Sequence, residues 1–273
     1  MTNTNETKVF VSGSILIKKL KPKVKETLDK IMQQNFEIIV GDAYGVDEQV
    51  IKYCDSKEYY NLRVYYIYDN DKEQNGKEEN LTRQKNLNKN FKKKQVDIPE
   101  ELKGKKGKER EKQTYKDEKM AEDCTYAFVI WDEKSTGTYK NCKECYEQYK
   151  KKIKVYLNKQ DRFISIKSQD DLNKIDEIYR KNTGFTKEEV CKELKIKNDE
   201  LNKIMTDHKI HKKEGNKYVP EDKFKEYFIE KKHTGKYLSY NFTNDLITII
   251  IEKIQNSPQN DENTNFSNDS LSF

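Results

Sequence analysis

Near the start of the chain, Lys8-Val9-Phe10-Val11-Ser12-Gly13-Ser14 is a short apolar segment that ends in small residues. It predicts a buried strand followed by a tight turn. A helix is predicted next, because Pro22 marks a first turn and apolar residues follow it at three- and four-residue spacing. Residues 36–40 and 63–68 predict two further strands, with an amphipathic helix between them. This β-α-β-α-β order is typical of a parallel sheet with helices on its faces.

The same pattern resumes after residue 116. Ala127-Phe128-Val129-Ile130-Trp131 predicts a strand, residues 139–151 a helix, and Ile153 to Leu157 a last strand. Five strands and the intervening helices therefore predict a doubly wound, Rossmann-like α/β domain over residues 8–165. Residues 1–7 are predicted to be a flexible N-terminus.

Residues 69–116 interrupt this pattern. The segment 85–116 holds 12 Lys or Arg against 5 Asp or Glu, and apolar residues are sparse in it. This composition predicts a long, solvated, basic insertion. Its lysines are candidates for contacts with phosphate groups: Lys92, Lys93, Lys94, Lys105 and Lys106.

A different composition begins near Ser168, which is predicted to cap a helix. Thr186-Lys187-Glu188-Glu189 is a capping box that opens a second helix, and Asn198 is predicted to cap a third. A hairpin follows over 209–219, and Pro220 is predicted to start another helix, through Phe228. Residues 166–240 thus predict a small helix-turn-helix, homeobox-like domain with a wing.

This domain supplies the remaining candidate DNA contacts. Asn198, Asn202 and Lys203 would lie nearest the groove, and Lys209, Lys212, Lys213 and Lys217 would contact phosphates. A helix without Arg lacks the commonest guanine contact, so weak and mostly non-specific binding is expected. A small helical domain that binds protein is the alternative. Residues 241–255 predict one more apolar helix or strand, and 256–273 a disordered tail.

Charge and composition exclude several classes of protein. The chain has 273 residues, a net charge of +6, and 49 Lys against 5 Arg. Its longest apolar runs have six residues, as in Leu246 to Ile251, which contains Thr248, and a membrane span needs roughly 20, which excludes an integral membrane protein. No secretory signal begins the sequence, and its five cysteines are unevenly spaced. An intracellular protein is expected, nuclear if the source is a eukaryote.

Three strand-end loops carry the functional pattern: Ser12-Gly13-Ser14, Gly41-Asp42-Ala43-Tyr44-Gly45-Val46-Asp47, and Trp131-Asp132-Glu133-Lys134-Ser135-Thr136-Gly137-Thr138. Together and in this order they resemble the SLOG superfamily, which includes the DprA/Smf DNA-processing proteins and the LOG nucleoside-phosphate hydrolases. The YspA-type branch is the most similar. The resemblance covers residues 8–157.

The resemblance implies a Rossmann-like fold whose strand-end loops hold a nucleotide or a nucleotide-derived ligand. Glycines there allow close backbone approach, and polar side chains hold ribose hydroxyls or phosphate oxygens. The alternative is that these small residues only make tight turns. The candidate ligand-binding residues are Gly13, Ser14, Gly41, Asp42, Gly45, Asp47, Asp132, Ser135, Gly137 and Thr138.

Three departures from the family pattern indicate a pocket that has weakened or lost its ligand. Ile15 stands where the family often has Arg, which removes the strongest contact with an anion. Glu133 stands where the family often has Gly, and would add bulk and repulsion beside a phosphate. Thr125 follows Cys124 where the family often has Asp before the strand. These departures favour a SLOG fold retained as a scaffold, without cofactor or catalytic residues.

Other constellations are weak. Cys142-x-x-Cys145 has no second Cys-x-x-Cys pair, so we interpret it as two small half-buried residues. We interpret His208-x-x-His211 as surface residues beside the wing. No metal site is therefore predicted. The sequence shows no pattern typical of a Ser-His-Asp or Cys-His catalytic arrangement. Asp132 and Glu133 are adjacent, so their side chains should point apart.

The first functional hypothesis is a non-catalytic, DNA-binding accessory or scaffold subunit of a larger complex with a DNA-modifying enzyme. A SLOG scaffold joined to a homeobox-like domain resembles an accessory subunit of a protist DNA N6-adenine methyltransferase complex. The alternative is a nucleotide-binding enzyme or sensor that acts on a nucleoside-phosphate or NAD-derived ligand, with the helix-turn-helix as output domain. A third hypothesis is a DprA-like protein that binds single-stranded DNA on the SLOG face.

Overall fold

The computed structural model describes residues 7–67, 87–103, 108–232 and 238–256. Contacts divide the chain into an N-terminal unit, residues 1–175, and a C-terminal unit, residues 176–273. The predicted flexible residues 1–6 and disordered residues 257–273 lie outside the described residues. No helix in the described ranges is long and apolar enough to cross a membrane.

The N-terminal unit is an α/β sandwich around a seven-stranded sheet in the order β4-β3-β2-β1-β5-β6-β7. The strands are β1 (Lys8–Gly13), β2 (Glu37–Val40), β3 (Leu62–Tyr66), β4 (Lys92–Gln95), β5 (Tyr126–Trp131), β6 (Lys152–Leu157) and β7 (Arg162–Ile166). The helices are α1 (Pro22–Gln33), α2 (Val46–Ser56), α3 (Glu109–Asp123) and α4 (Thr136–Glu147). All neighbouring strands are parallel except β6 and β7. The predicted α/β class and mostly parallel sheet are confirmed.

Successive side chains of β1 point to opposite faces of this sheet, and the two faces differ in character. Val9 and Val11 belong to a buried cluster that includes Val24 and Leu28 of α1 and Val50 of α2. Phe10 and Ser12, one residue out of phase, face the other side of the strand. The first face is therefore an apolar core, and the second is free to line a site.

The prediction of a solvated loop over 69–116 is wrong where the structure describes this segment. Residues 92–95 form the edge strand β4, and α3 begins at Glu109. Phe91, Val96 and Ile98 are buried on either side of the strand. The lysines misled the prediction because an edge strand pairs on one side only and tolerates charge. Residues 68–86 and 104–107, including Lys105 and Lys106, lie outside the described residues.

The strand β7 was missed by the sequence reading, which ended the sheet at residue 157. It pairs antiparallel with β6, from Ile153 opposite Ile166 to Leu157 opposite Arg162. The helix after it, α5 (Gln169–Thr183), begins as predicted. Ser168 Oγ accepts a hydrogen bond from the Asp171 amide at 3.3 Å, and Asp171 Oδ2 accepts one from the Lys167 amide at 3.2 Å.

The C-terminal unit packs helices α6 (Lys187–Glu193), α7 (Asn198–Asp207) and α8 (Asn244–Gln255) with two small sheets. One sheet is the predicted hairpin, β8 (His211–Glu214) and β9 (Lys217–Pro220); the other pairs β10 (Phe228–Lys232) with β11 (Leu238–Phe242). Its core includes Val190, Leu201, Met205, Leu246 and Ile250.

Local predictions in this unit have mixed outcomes. The capping box at Thr186 and Glu189 is present. Asn198 is not a cap, because Lys197 occupies that position and Asn198 is the first helical residue. The predicted helix from Pro220 is wrong: a short 3-10 helix spans Asp222–Tyr227, and Phe228 begins a strand.

Candidate functional site

A cleft of about 430 Å³ lies on the second face of the sheet, beside α3 and α4. The sheet order reverses between β1 and β5, since β2, β3 and β4 lie on one side and β6 and β7 on the other. Ligands of open α/β sheets bind at such a point, beyond the carboxyl ends of the strands. Six of the predicted ligand-binding residues line the cleft: Gly13, Asp42, Asp47, Ser135, Gly137 and Thr138.

The other four predicted residues lie outside the lining and hold the loops together. The Ser14 amide donates to the Ile130 carbonyl at 3.1 Å, and the Ser14 carbonyl accepts from the Val46 amide at 3.3 Å. Asp132 Oδ1 accepts from the Ser135 amide at 2.8 Å, at the start of α4. Gly41 and Gly45 are held by close packing with their neighbours. These residues shape the cleft without facing it.

Three of the candidate glycines are required by close packing. Gly45 has φ +81°, and a Cβ there would lie 2.4 Å from Cα of Ile15. A Cβ at Gly13 would lie 2.4 Å from the Ile130 carbonyl oxygen, and one at Gly41 would lie 2.5 Å from Oδ2 of Asp47. At these three positions the tight-turn interpretation of the glycines is sufficient.

Lys116 is the main residue that the sequence reading missed. Its side chain is 1% exposed, projects from α3 into the cleft lining and forms an ion pair with Asp42. Burial acts to lower the pKa of Lys116, but the carboxylates of Asp42, Asp117 and Asp47 raise it above its ordinary value. Lys116 is therefore a fixed positive charge inside an acidic cleft.

Two carboxylates beside Lys116 are disfavoured in their charged form. Burial raises the pKa of Asp47 to about 7, against the lowering effect of Lys116. Burial also raises the pKa of Asp117, whose Oδ2 accepts a hydrogen bond from Asn141 Nδ2 at 2.8 Å. Asp47 therefore exchanges a proton near neutral pH.

Glu133 does not act as the sequence predicted. It is 1% exposed and turned away from the cleft toward the β6–β7 turn. Its Oε1 accepts hydrogen bonds from the amides of Lys159 at 2.8 Å and Gln160 at 3.0 Å. Its φ of +66° explains why glycine suits this position. The predicted repulsion of a phosphate by Glu133 is wrong, and Asp132 and Glu133 do point apart.

The other two departures differ in their relation to the cleft. Ile15 lines it and is 58% exposed, beside Tyr44, which is 47% exposed. Thr125 lies at the far end of β1, where its amide donates to the Lys8 carbonyl at 2.8 Å. Of the three departures, only Ile15 changes the lining of the cleft.

Ser12 is a second residue of the cleft whose role the sequence did not reveal. It is 5% exposed and lines the cleft from β1. Its Oγ is buried and has no hydrogen-bond partner among the described residues. Buried hydroxyl groups are nearly always paired, so this oxygen indicates a place for a polar ligand atom.

The candidate DNA-binding residues belong to two different units of the chain. Lys92 and Lys94 lie on β4, where they form ion pairs with Glu37 at 3.0 Å and Asp123 at 3.3 Å; Lys93 lies between them. Asn202 Oδ1 accepts a hydrogen bond from Lys187 Nζ at 2.6 Å, and Asn198 Oδ1 one from Cys191 Sγ at 3.2 Å. The candidate lysines of the C-terminal unit are exposed on α7, the following turn and the hairpin: Lys203, Lys209, Lys212, Lys213 and Lys217. Lys212 forms an ion pair with Glu214 at 3.0 Å.

The cysteines and histidines form no metal centre in the part of the chain that the structure describes. All five cysteines are buried. Cys142 and Cys145 lie on α4 and are 2% and 1% exposed, so the prediction that they are half-buried is wrong. His211 is buried, contrary to the prediction of a surface residue. It stacks on Tyr218, with ring centroids 4.5 Å apart, and its Nε2 lies 3.0 Å from Thr206 Oγ1.

The interpretation of the cleft therefore rests on its own residues and on the three strand-end loops. No protein-family model, no curated protein and no solved structure matches this chain.

Proposed function

We propose that this protein is a DNA-binding accessory or scaffold subunit of a DNA-modifying complex, and that the modification is DNA N6-adenine methylation. The domain order, a SLOG-like α/β unit followed by a small homeobox-like unit, supports the proposal by resemblance. The site of action would be nuclear in a eukaryote.

The basic hairpin is the observation that carries the DNA-binding part of this proposal. A turn of four residues, 194–197, separates α6 from α7, which is typical of helix-turn-helix units. Lys212 and Lys217 lie on the hairpin face opposite buried His211, because His211 and Lys212 are adjacent on β8 and Lys217 pairs with Glu214. Glu214 lies on the same face and forms an ion pair with Lys212 at 3.0 Å, so the face keeps a net positive charge with which to meet a phosphate backbone.

The first experiment is a gel-shift titration of the full chain on duplex DNA at two salt concentrations. The variant Lys212→Glu/Lys217→Glu should weaken binding and reduce the slope of log affinity against log salt by about 2, at about 0.9 per lost phosphate contact. Lys19→Glu/Lys159→Glu is the matched control, since it makes the same charge change at exposed lysines of the N-terminal unit. An equal loss of DNA affinity in both variants would show that net charge, and not the hairpin face, causes the effect.

The second experiment addresses the complex. Affinity purification of the tagged full chain, followed by mass spectrometry, should recover a DNA methyltransferase. Recovery of no DNA-modifying enzyme would contradict the accessory-subunit proposal, even if the chain binds DNA.

A second candidate function is a small-molecule enzyme or sensor of the nucleoside-phosphate or NAD-derived ligand class. The open cleft at the reversal of the sheet, together with the Ser12 Oγ that has no partner among the described residues, favours it. Calorimetric titration with AMP, NAD and ADP-ribose tests binding, and chromatography of the incubated ligand tests turnover. Binding or turnover lost in Asp42→Ala or Thr138→Ala would place the reaction in the cleft.

A further inference from the structure

We propose that the cleft binds a cationic group, a guanidinium or an alkylammonium, between Asp47, Asp117 and Ser12. This inference rests on the second candidate function, in which the cleft takes a small ligand, and it names the chemical class of that ligand. It differs from the phosphate-bearing ligands that the strand-end loops suggest.

The charge of the lining is the first argument. Asp42, Asp47 and Asp117 present three carboxylates, whereas Lys116 supplies the only side-chain ammonium among the described residues of the lining. Lys116 is paired with Asp42 and also acts on Asp47 and Asp117, but one ammonium faces three carboxylates, so the lining keeps an excess of acidic groups. The pKa values of Asp47 and Asp117 are raised by burial, and a bound cation would lower both.

Ser12 is the second and independent argument. Ser12 lines the cleft, and its Oγ is buried and without a partner in the described part of the chain. Such an oxygen accepts a hydrogen bond from an N–H donor of a ligand. A guanidinium offers five donors and no acceptor, and carboxylates and a hydroxyl oxygen together satisfy that pattern.

The start of α4 suits an anion, because helix N-termini bind anions through their first amides. Gly137 and Thr138 belong to the first turn of α4 and line the cleft. A phosphate is therefore the competing ligand, and AMP is the probe for it.

The rim of the cleft selects an organic cation over a hydrated metal ion. Ile15 and Tyr44 are exposed apolar side chains that line the mouth, and Leu16, 70% exposed, follows Ile15. Apolar surface at the mouth suits the carbon chain that carries a guanidinium or ammonium group. The same chemistry is found in a free amine or guanidine metabolite and in an arginine side chain of a partner protein.

Isothermal titration of the full chain with paired probes tests the proposal. Methylguanidinium and methylurea have nearly the same shape and differ in charge. We expect methylguanidinium to bind at least about tenfold more tightly, because charge-assisted hydrogen bonds are roughly twice as strong as neutral ones. A short arginine peptide and its citrulline counterpart form a second pair; tighter binding of the arginine peptide than of methylguanidinium would identify a protein as the source.

Variants locate the binding. Asp47→Asn, Asp117→Asn and Ser12→Ala should each reduce the affinity for methylguanidinium, and Glu26→Gln, which removes one exposed carboxylate from α1, should not. Equal affinity for methylurea would overturn the proposal. Tighter binding of AMP would also overturn it while leaving the second candidate function intact, and binding of no probe, AMP and ADP-ribose included, would overturn both.

Discussion

Replacing Asp47 by asparagine should stabilise the N-terminal unit at alkaline pH. The pKa of Asp47 rises from 3.8 to about 7 because the carboxyl group is buried beside Lys116, Asp117 and Asp42. A raised pKa means that ionisation opposes folding. The stability that the protonated group contributes is complete below about pH 4 and is lost as pH rises through about 7.

The magnitude follows from the two pKa values. A shift from 3.8 to about 7, at about 1.36 kcal/mol for each tenfold change, is worth about 4 kcal/mol above pH 7. Asp47 keeps some contact with solvent at the cleft, so we expect about 2 kcal/mol. The asparagine side chain of the variant cannot ionise, and its oxygen can still accept a hydrogen bond from the Ala43 amide, as Asp47 Oδ2 does at 3.3 Å. The advantage of the variant should therefore grow from pH 5 to pH 8.

Urea unfolding followed by tryptophan fluorescence measures this difference. Trp131 is the only tryptophan, lies on β5 and is 1% exposed, so its emission reports the N-terminal unit. Asp97→Asn, at an exposed carboxylate, is the control and should show the same difference at both pH values. An Asp47→Asn advantage that is flat or falls between pH 5 and pH 8 would refute the reasoning, because it would show that Lys116 stabilises the ionised form.

Three further changes test other parts of the structure. Glu133→Ala should destabilise the N-terminal unit by about 2 kcal/mol in the same unfolding assay, because it removes a buried carboxylate that accepts backbone hydrogen bonds. An unchanged free energy of unfolding would contradict the role of Glu133 in the β6–β7 turn. Gly45→Val should abolish soluble expression or the cooperative transition, because φ is +81° and a Cβ would meet Ile15. Thr186→Ala should cost about 1 kcal/mol by thermal unfolding monitored by circular dichroism, whereas Thr186→Ser, which keeps the cap, should cost less.

The strands that the sequence predicted are those whose burial gives a recognisable apolar pattern. β1, β2 and β5 are buried on both faces and read as continuous apolar runs. The edge strands β4 and β7 were missed because a strand with one neighbour needs no such run. β4 is formed by Lys92, Lys93, Lys94 and Gln95, all of them exposed.

The cleft was predicted only where its residues belong to strand-end loops. Lys116, Asp117 and Asn141 come from helices, and in sequence they look like ordinary solvated charges and amides. One sequence pattern could have indicated Lys116. Three- and four-residue spacing on α3 joins Gln113, Lys116, Asp117 and Met120 on one helix face. Because Met120 is apolar and buried, Lys116 on the same face is expected to be buried too. The orientation of Glu133 left no trace, because it depends on a left-handed φ and on a turn 26 residues further along the chain.

The rate at which the five buried thiols are alkylated reports local opening of the structure. Burial raises the pKa of Cys54 to about 12 and that of Cys124 to about 11, so neither forms the reactive thiolate while its surroundings remain closed. Cys54, Cys124, Cys142 and Cys145 belong to the N-terminal unit, and Cys191 belongs to the C-terminal unit. Alkylation in native buffer, read peptide by peptide by mass spectrometry, therefore measures the opening free energy of each unit separately, without any introduced label.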